Sequence, residues 1–353
     1  MKGKWHRFIV VLIVALALPG SSLSAAEKPV TAAELAMYKG PDRQQILEEG
    51  AKKEGQLTFY TSGTIEQSVG PMVDAFKKKY PFINIDIWRA GTNALTPRIV
   101  EEFKAGKSIF DNVEGTQSNM MVMQKLGIIQ PFYSPNLTQM EKDAITPAAD
   151  GGAYTVVFRA SGIGIGYNTK LINKSQLPKT YPDLLDPKWK GKMAIAGSST
   201  GTNWLGVISD IYGEEFLKRL SQQDIVVHMI SGFALLNMMI NGEFAFSPTI
   251  FDAQVIAAKK KGIQIDWMPL EPVHANVGQI ALAKDVHHPH AALLFADFHL
   301  SKEGAEIVKS RGYGHLRKDV TSLMQPYKKY FASESVDDLK KNQELFNRYL
   351  LKK

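Results

Sequence analysis

The sequence predicts an α/β fold of two lobes, each a mixed but mostly parallel sheet flanked by helices. Short apolar segments with the period of a β-strand alternate with segments of helical period along most of the chain. Gly, Pro, Asn and Ser clusters separate them, as expected of turns. Strands that alternate with helices in this way form parallel sheets. A chain of 353 residues is also longer than most single domains, which favours two lobes over one.

The N-terminus has the three-part pattern of a secretory signal. Lys2, Lys4 and Arg7 precede an apolar run over residues 8–18, and small residues lead up to Ala26. The run is too short for a membrane anchor, because a bilayer span needs about 20 apolar residues. We therefore expect residues 1–26 to be a signal peptide that is cleaved after Ala26, and the mature chain to be exported.

Composition excludes several classes of site and partner. The chain has no cysteine, so disulfides, thiolate metal sites and cysteine nucleophiles are ruled out. Without the three basic residues of the signal, the net charge falls from +7 to +4. The remaining basic clusters, such as 77–79 and 259–261, are short and follow helical patterns, which is typical of solvated helix faces. An exported protein without a long basic stripe is not expected to bind nucleic acid.

The first part of the mature chain begins with helix over residues 31–54, interrupted at Gly40-Pro41 and stopped by Gly55. Further helices are predicted over 66–79, 95–105 and 120–126, and strands over 57–60, 83–88 and 109–113. Sheets of this kind bind ligands beyond the carboxyl ends of their strands. The loops at 62–64, 89–93 and 114–118 are therefore candidate binding segments.

The second part of the chain repeats the alternation, and its C-terminal tail over 324–351 is predicted to be helical. Predicted strands cover 154–159, 162–167, 193–196, 244–246, 264–268 and 278–283. Predicted helices cover 204–212, 214–221, 234–241, 252–261, 289–299 and 302–310.

Four segments together resemble the ferric-type group of extracellular solute-binding proteins. They are YTSG at 60–63, PKWKGKMAI at 187–195, GEFAF at 242–246 and HPHAALLFADFHLSKEGAEIV at 288–308. The resemblance implies a two-lobed periplasmic binding protein of type II, with crossing strands and a ligand cleft between the lobes. It also implies a role as the periplasmic, non-enzymatic component of an ABC importer that delivers a small solute to an inner-membrane permease. We expect a monomer without a cofactor.

The resemblance also divides the chain. Residues 27–160 together with 275–320 are expected to form lobe 1, and residues 161–274 lobe 2. Residues 321–353 are expected to form C-terminal helices that pack on one of the lobes.

The resemblance does not extend to the iron ligands of the ferric members. Those members use a histidine, a glutamate and a tyrosine pair, whereas this chain has Thr64 and Thr116 at the first two positions. Residues 250–253 replace the tyrosine pair, and no tyrosine lies between Tyr212 and Tyr313. We expect the solute to be a small organic anion or zwitterion. The alternative within the same class is ferric iron held through a bound anion.

A run of small and polar residues follows the predicted strand at 193–196 and opens a helix. Backbone N–H groups at a helix start bind anions, and hydroxyls add donors. In the family, the equivalents of Thr200, Gly201 and Thr202 bind an anionic oxygen cluster. The alternative interpretation is an ordinary helix cap. The run consists of Ser198, Ser199, Thr200, Gly201, Thr202 and Asn203.

In lobe 1, the matching loop is Ser62, Gly63 and Thr64, which also fits a simple turn. Arg89 ends a predicted strand, so its guanidinium could grip an acidic group bidentately. It could equally be a surface arginine. Thr92 and Asn93 follow in the same loop.

Five further side chains have two interpretations each. Arg159 lies where the lobes are predicted to join, so it is either a ligand contact or part of a salt bridge. Phe251 could form a flat wall of the cleft, as could Trp88 and Trp204, although most aromatic residues are core residues. Asp252 is either a helix cap or a partner for an ammonium group.

Metal and enzyme chemistry have little support in the sequence. His287, His288 and His290 lack a third ligand of fixed spacing, so no metal site is predicted. Hydrolase, zinc-protease and Walker motifs are missing. A secreted hydrolase or transferase remains the alternative from another class.

Overall fold

The structure is a computed structural model that describes residues 28–324, 326–330 and 336–351. The predicted signal peptide lies outside the described residues. The α-helices are α1 Ala32–Met37, α2 Arg43–Glu54, α3 Gly70–Lys79, α4 Thr92–Lys104, α5 Gln117–Lys125, α6 Ser199–Ser221, α7 Gly232–Ile240, α8 Asp252–Lys260, α9 Pro289–Leu300, α10 Lys302–Ser310 and α11 Val336–Tyr349. The strands are β1 Gln56–Thr61, β2 Asn84–Arg89, β3 Asn112–Gly115, β4 Ile129–Gln130, β5 Ile145–Pro147, β6 Ala153–Asn168, β7 Ala194–Ala196, β8 Val226–His228, β9 Phe246–Phe251, β10 Ile265–Met268, β11 Val273–Ala283 and β12 Lys329–Tyr330.

Lobe 1 is built on a sheet in which β1 pairs in parallel with β2 and β3. β11 joins β3 in the antiparallel direction. Helices α2, α3 and α9 cover one face, where Phe59, Phe76 and Phe295 form edge-to-face ring contacts in the core. The predicted end of the second helix is confirmed, because Gly55 adopts the left-handed conformation (φ 67°) that terminates helices.

Lobe 2 is built around the second half of β6, which pairs antiparallel with β9 and β10. A separate parallel pair, β7 and β8, extends the lobe. Its core contains Trp204 of α6 and Phe346 of α11, both buried. The C-terminal helix α11 thus packs on lobe 2.

Two long strands run through both lobes. β6 and β11 pair antiparallel from Val156 with Ile280 to Ile163 with His274. Ala160 also pairs with Gly314, so the chain returns through the junction a third time. The fold is the predicted two-lobed α/β architecture with crossing strands. The predicted mostly parallel sheet is wrong for lobe 2, where β6 pairs antiparallel with β9 and β10 and only β7 and β8 are parallel.

The predicted elements differ from the structure in four places. The two strands at 154–167 form one continuous strand, because the backbone stays extended through Ser161 and Gly162. The helices at 204–212 and 214–221 are joined as α6, with a kink at Gly213 (φ 74°). The strand predicted at 244–246 lies later, at β9, and it includes Pro248 although proline is rare inside strands. In the tail, β12 precedes α11, so the predicted helix is shorter than 324–351.

No α-helix of the described residues is both long enough and apolar enough to cross a membrane.

Candidate functional site

A cavity of about 390 Å³ lies between the two lobes. Its walls come from the carboxyl ends of β1 and β2, the junction strands β6 and β11, and the starts of five α-helices. The lining consists of Ser62, Gly63, Thr64, Arg89, Gly91, Thr92, Ala94, Thr116, Arg159, Ser161, Ser198, Ser199, Thr200, Ser231, Gly232, Phe233, Phe251, Ala253, Gln254, Asn276 and Tyr313.

The lobe 1 wall is organised by a buried ion pair between Glu114 and Arg159. The side chain of Glu114 is 1 % exposed and that of Arg159 is 9 % exposed. Glu114 Oε2 accepts a hydrogen bond from the amide of Gly63 (2.7 Å) and another from the Thr61 hydroxyl. The pair therefore fixes the loop that follows β1, and Glu114 has its charge compensated within the protein.

Arg159 is also part of the cavity wall. Its Nε is buried without a hydrogen-bond partner among the described residues, although the residue lines the cavity. Burial alone would lower the pKa of Arg159, but the negative charge of Glu114 raises it by more. The net shift is upward, so the guanidinium stays charged. Gly278 makes room for it, since a Cβ there would lie 2.5 Å from Arg159 Nε.

Tyr313 lies beneath the Arg159 guanidinium, whose carbon is 5.5 Å from the ring centroid. The residue is 6 % exposed, and burial raises the pKa of its hydroxyl. Its hydroxyl is therefore neutral and interacts with Ser68 and Thr64. It is the only tyrosine of the described lining, so the cavity lacks a tyrosine pair.

Arg89 is the second cation of the lining and is exposed. It ends β2, and its Nε donates to the carbonyl of Gly63 (3.2 Å). The loop after β1 and the end of β2 are thus linked. The described lining contains no aspartate or glutamate, so its two arginines are its only charged side chains.

The lobe 2 wall is formed mainly by small polar residues and backbone. Ser198, Ser199 and Thr200 open α6, and Ser231 with Gly232 opens α7. The hydroxyl of Ser198 is buried without a hydrogen-bond partner in the described part of the chain. A Cβ on Gly232 would lie 2.9 Å from the Phe251 ring, so glycine allows the two segments to pack.

Five α-helices begin at the cavity: α4 and α5 from lobe 1, and α6, α7 and α8 from lobe 2. The amides of a first helical turn have no acceptor within the helix. At the starts of α4 and α6, no side chain accepts a hydrogen bond from them as a cap. These amides, together with the positive ends of the helix dipoles, form an environment suited to anions.

At the junction, Ser161 of β6 pairs with Asn276 of β11, and both line the cavity. Asp252 lies behind them. Its Oδ1 accepts from the Ser161 hydroxyl (2.6 Å) and from the amides of Gly162 (2.9 Å) and Ala253 (2.5 Å). Burial raises the pKa of Asp252 to about 6, although these hydrogen bonds oppose the shift. Asp252 thus ties the start of α8 to a crossing strand.

Residues 109–342 match the model of a family described as bacterial extracellular solute-binding protein. The chain belongs to this family. Its members serve ABC transporters as extracellular or periplasmic solute-binding components.

Among the relatives of this family member is an uncharacterized protein of Haemophilus influenzae. It is 26 % identical over 273 residues, covering 74 % of this chain and 78 % of the relative. Iron-bound HitA from Pseudomonas aeruginosa is 20 % identical with a TM-score of 0.69, covering 83 % of this chain and 97 % of HitA. AfuA from Actinobacillus pleuropneumoniae, solved with fructose-6-phosphate, is 21 % identical with a TM-score of 0.70, covering 84 % and 99 %. At these identities the two structures share the fold with this family member.

Most residues predicted as ligand contacts in this solute-binding protein lie together on the cavity wall. They come from both lobes and from the junction. They are Ser62, Gly63, Thr64, Arg89, Thr92, Thr116, Arg159, Ser198, Ser199, Thr200 and Phe251.

Of the other predicted contacts, Asn93 has a side chain outside the described residues, and the remaining four lie outside the described lining. A Cβ on Gly201 would lie 1.9 Å from the Ala196 carbonyl, so this residue faces β7. Thr202 donates to the Ser199 carbonyl (3.1 Å), and Asn203 is buried in the same helix. Asp252 lies behind Ser161 as described above. Asn93 follows Thr92 in the first turn of α4.

The sequence interpretation missed several lining residues. Ser231 and Gly232 could have been found by the rule applied to Ser198, since a serine precedes a helix there as well. Asn276 and Tyr313 have no local signal, because they reach the cavity only where the chain returns through the junction.

The two tryptophans considered as cleft walls lie elsewhere. Trp204 is buried in the lobe 2 core. Trp88 lies against Arg98, whose guanidinium carbon is 4.0 Å from the ring centroid.

The three histidines considered for metal binding have structural partners. His288 Nδ1 contacts Asp111 (2.8 Å) and His290 Nδ1 contacts Glu54 (2.6 Å). His287 Nε2 lies 2.8 Å from the Ser108 carbonyl. Among the residues that the structure describes, no group of three or more His, Asp or Glu is arranged to hold a metal ion.

Proposed function

We propose that this solute-binding protein captures a small organic anion between its lobes and delivers it, as a monomer, to the inner-membrane permease of an ABC importer. One observation carries the proposal. Five helix N-termini and two arginines converge on a cavity whose described lining contains no carboxylate.

Each component of this arrangement favours negative charge. Backbone amides and the helix dipole at an N-terminus stabilise anions. Arginine adds charge-assisted hydrogen bonds with a geometry that suits carboxylates, phosphonates and phosphate esters. Arg159 and Glu114 form an ion pair without net charge, so the positive potential comes mainly from Arg89 and the helix N-termini.

The proposal favours an anion over a zwitterion. An ammonium group needs an acceptor or a carboxylate, and the nearest candidate on lobe 2 is Asp252. Its Oδ1 already accepts three hydrogen bonds, and burial raises its pKa to about 6. The fructose-6-phosphate bound to AfuA, a phosphate ester, is an organic anion of the proposed kind.

Capture is expected to close the lobes. Donors on both walls can engage one acidic group only when the walls approach, so a bound anion favours the closed form. β6 and β11 provide the crossing strands about which such a hinge motion takes place.

The test is a calorimetric screen of carboxylates, phosphonates and phosphate esters, including fructose 6-phosphate, with amines and neutral sugars as controls. Small-angle scattering of the protein with the best ligand should give a smaller radius of gyration than the free protein. Binding restricted to amines, or an unchanged scattering profile at saturation, would contradict the proposal.

A further inference from the structure

A second groove, of about 330 Å³, adjoins the interlobe cavity. The two share Thr64, Phe233 and Gln254 as wall residues. This outer groove runs between α7 and α8 of lobe 2 and the segments 64–67 and 310–311 of lobe 1. We infer that the outer groove holds the far end of the same solute, and that this end carries a second acidic group on an apolar spacer. The inference rests on the proposed function.

The walls of the outer groove are largely apolar. Phe233, Leu236 and Ile240 lie on one face of α7, three and four residues apart. Ala257 and Ala258 of α8 oppose them. Phe233 is 51 % exposed although it is a large aromatic side chain. A hydrocarbon spacer in this position would remove that apolar surface from water.

The direction of the groove follows from its two helices. Both α7 and α8 begin at the cavity and end at the outer opening. From Ala253 to Lys260 the axis of α8 advances about 10 Å, at a rise of about 1.5 Å per residue. A solute whose first acidic group lies at the helix N-termini therefore needs a spacer of about that length to reach the outer end.

Cations collect at that outer end. Lys260, Lys261 and Arg311 line it, against the single carboxylate of Glu66. Lys260 donates to the carbonyl of Ser310 across the lobes (2.6 Å). Lys261 and Arg311 are exposed, and neither forms a salt bridge within the described part of the chain. A second anion on the solute would complement them.

One polar atom inside the groove also lacks a partner. The Oε1 of Gln254 is buried without a hydrogen bond in the described residues, at the boundary between cavity and groove. It can accept a hydrogen bond from a hydroxyl on the spacer. The groove therefore offers apolar contact, a hydrogen-bond acceptor and terminal cations in succession.

The experiment uses linear diacids of increasing length as probes, measured by calorimetry on the full mature chain. One series runs from succinate to sebacate, and a parallel series uses α,ω-bisphosphonates. Each diacid is compared with the monoacid of equal chain length. We expect the longer diacids, whose acidic groups lie about 10 Å apart, to bind about three- to tenfold more tightly than their monoacids.

A double variant, Lys261→Ala with Arg311→Ala, should remove this advantage and leave monoacid affinity unchanged. The control variant, Lys77→Ala with Lys78→Ala on α3, also removes two exposed charges but lies outside both lining sets, so it should keep the advantage.

The two possible failures are distinguishable. If monoacids bind but longer diacids gain nothing, or if the double variant keeps the diacid advantage, the inference is wrong and the proposed function stands. If neither monoacids nor diacids bind at any length in either series, the proposed function fails and the inference fails with it.

Discussion

The two walls of the cavity differ in the groups they would offer to the proposed anion. Lobe 1 presents charged side chains, Arg89 and Arg159, that are held in place by the protein itself. Lobe 2 presents hydroxyls and backbone at the starts of three helices, and its described lining has no charged side chain. Under the proposed function, we expect lobe 1 to attract the anion first and lobe 2 to complete its coordination when the lobes close.

The internal contacts of each wall support this order. The loop after β1 is fixed by Glu114 before any ligand arrives. On lobe 2, by contrast, the hydroxyl of Ser198 is buried without a partner among the described residues. Long-range attraction by charge acts mainly on the encounter, whereas short hydrogen bonds act mainly on retention. Substitutions in lobe 1 should therefore change both salt dependence and affinity, and those in lobe 2 affinity alone.

The largest effect is expected for Arg159→Ala. It removes a buried cation from the cavity, so affinity should fall at least about a hundredfold. It also leaves Glu114 buried and unpaired, which should destabilise the fold by about 3–5 kcal/mol. Calorimetry and chemical denaturation measure the two effects.

Arg43→Ala is the matched control for stability. Arg43 forms a buried ion pair with Asp297 in lobe 1 and lies outside the cavity lining. The Arg43→Ala variant should lose about as much stability as Arg159→Ala but keep the affinity of the wild type for the solute. If both variants bind like the wild type, Arg159 serves only to hold Glu114.

Arg89→Ala should have the next largest effect. The side chain is exposed, so we expect little loss of stability. Loss of a charged hydrogen bond, worth about 1.5–3 kcal/mol, should weaken binding roughly ten- to a hundredfold. The residual affinity should depend less on salt than that of the wild type, because salt screens exposed charges. If the Arg89→Ala variant kept the affinity and the salt dependence of the wild type, Arg89 would be a surface arginine without a role in binding. That is the alternative interpretation of the sequence.

A smaller effect is expected in lobe 2 for Thr200→Ala. A neutral hydroxyl is removed but the backbone donors of α6 remain, so affinity should fall about three- to tenfold without a change in salt dependence. Thr202→Ala is the control, because Thr202 lies outside the described lining and donates to Ser199. If the two variants lost the same affinity, the solute would contact α6 beyond its first turn, and the cavity lining would not describe the binding surface.

The smallest effect on affinity is expected for Asp252→Asn. This variant should instead change how the free energy of unfolding depends on pH. Burial raises the folded-state pKa of Asp252 from 3.8 to about 6. The folded protein therefore holds this proton more tightly than the unfolded chain, and the stability that protonation provides is lost as pH rises from about 4 to 6. The Asp252→Asn variant would lack this dependence, because an amide does not titrate in this range.

The measurement is the free energy of unfolding of both proteins between pH 4 and pH 7. The difference between them should change by up to about 3 kcal/mol over this window. Subtraction removes the opposite contributions of His274 and His299, whose burial lowers their pKa to about 4. A constant difference would mean that Asp252 titrates normally.

Local sequence rules predicted the parts of the site that begin or end a secondary-structure element. The loops around Gly63 and Ser198 follow strands and precede helices, and Arg89 ends a strand, so their positions followed from the strand–loop–helix pattern. The partner of Arg159 could not be predicted, because Glu114 meets it only through the register of β3, β11 and β6.

The other differences between the predicted and the observed lining have the same cause: local sequence does not show which residues meet in three dimensions. Adjacency in sequence predicts one binding segment over Ser198, Gly201, Thr202 and Asn203. A helical turn, however, directs successive side chains to different faces of the helix. Tyr313 lines the cavity because the chain returns through the junction a third time, next to Gly314. No local sequence pattern predicts this return.

The most direct test of an anion held between the lobes is native mass spectrometry of the gently purified protein. We predict one retained solute of low mass that carries an acidic group and is lost in Arg159→Ala but kept in Arg43→Ala. A retained amine, a neutral sugar or a metal ion without an organic anion would contradict the account.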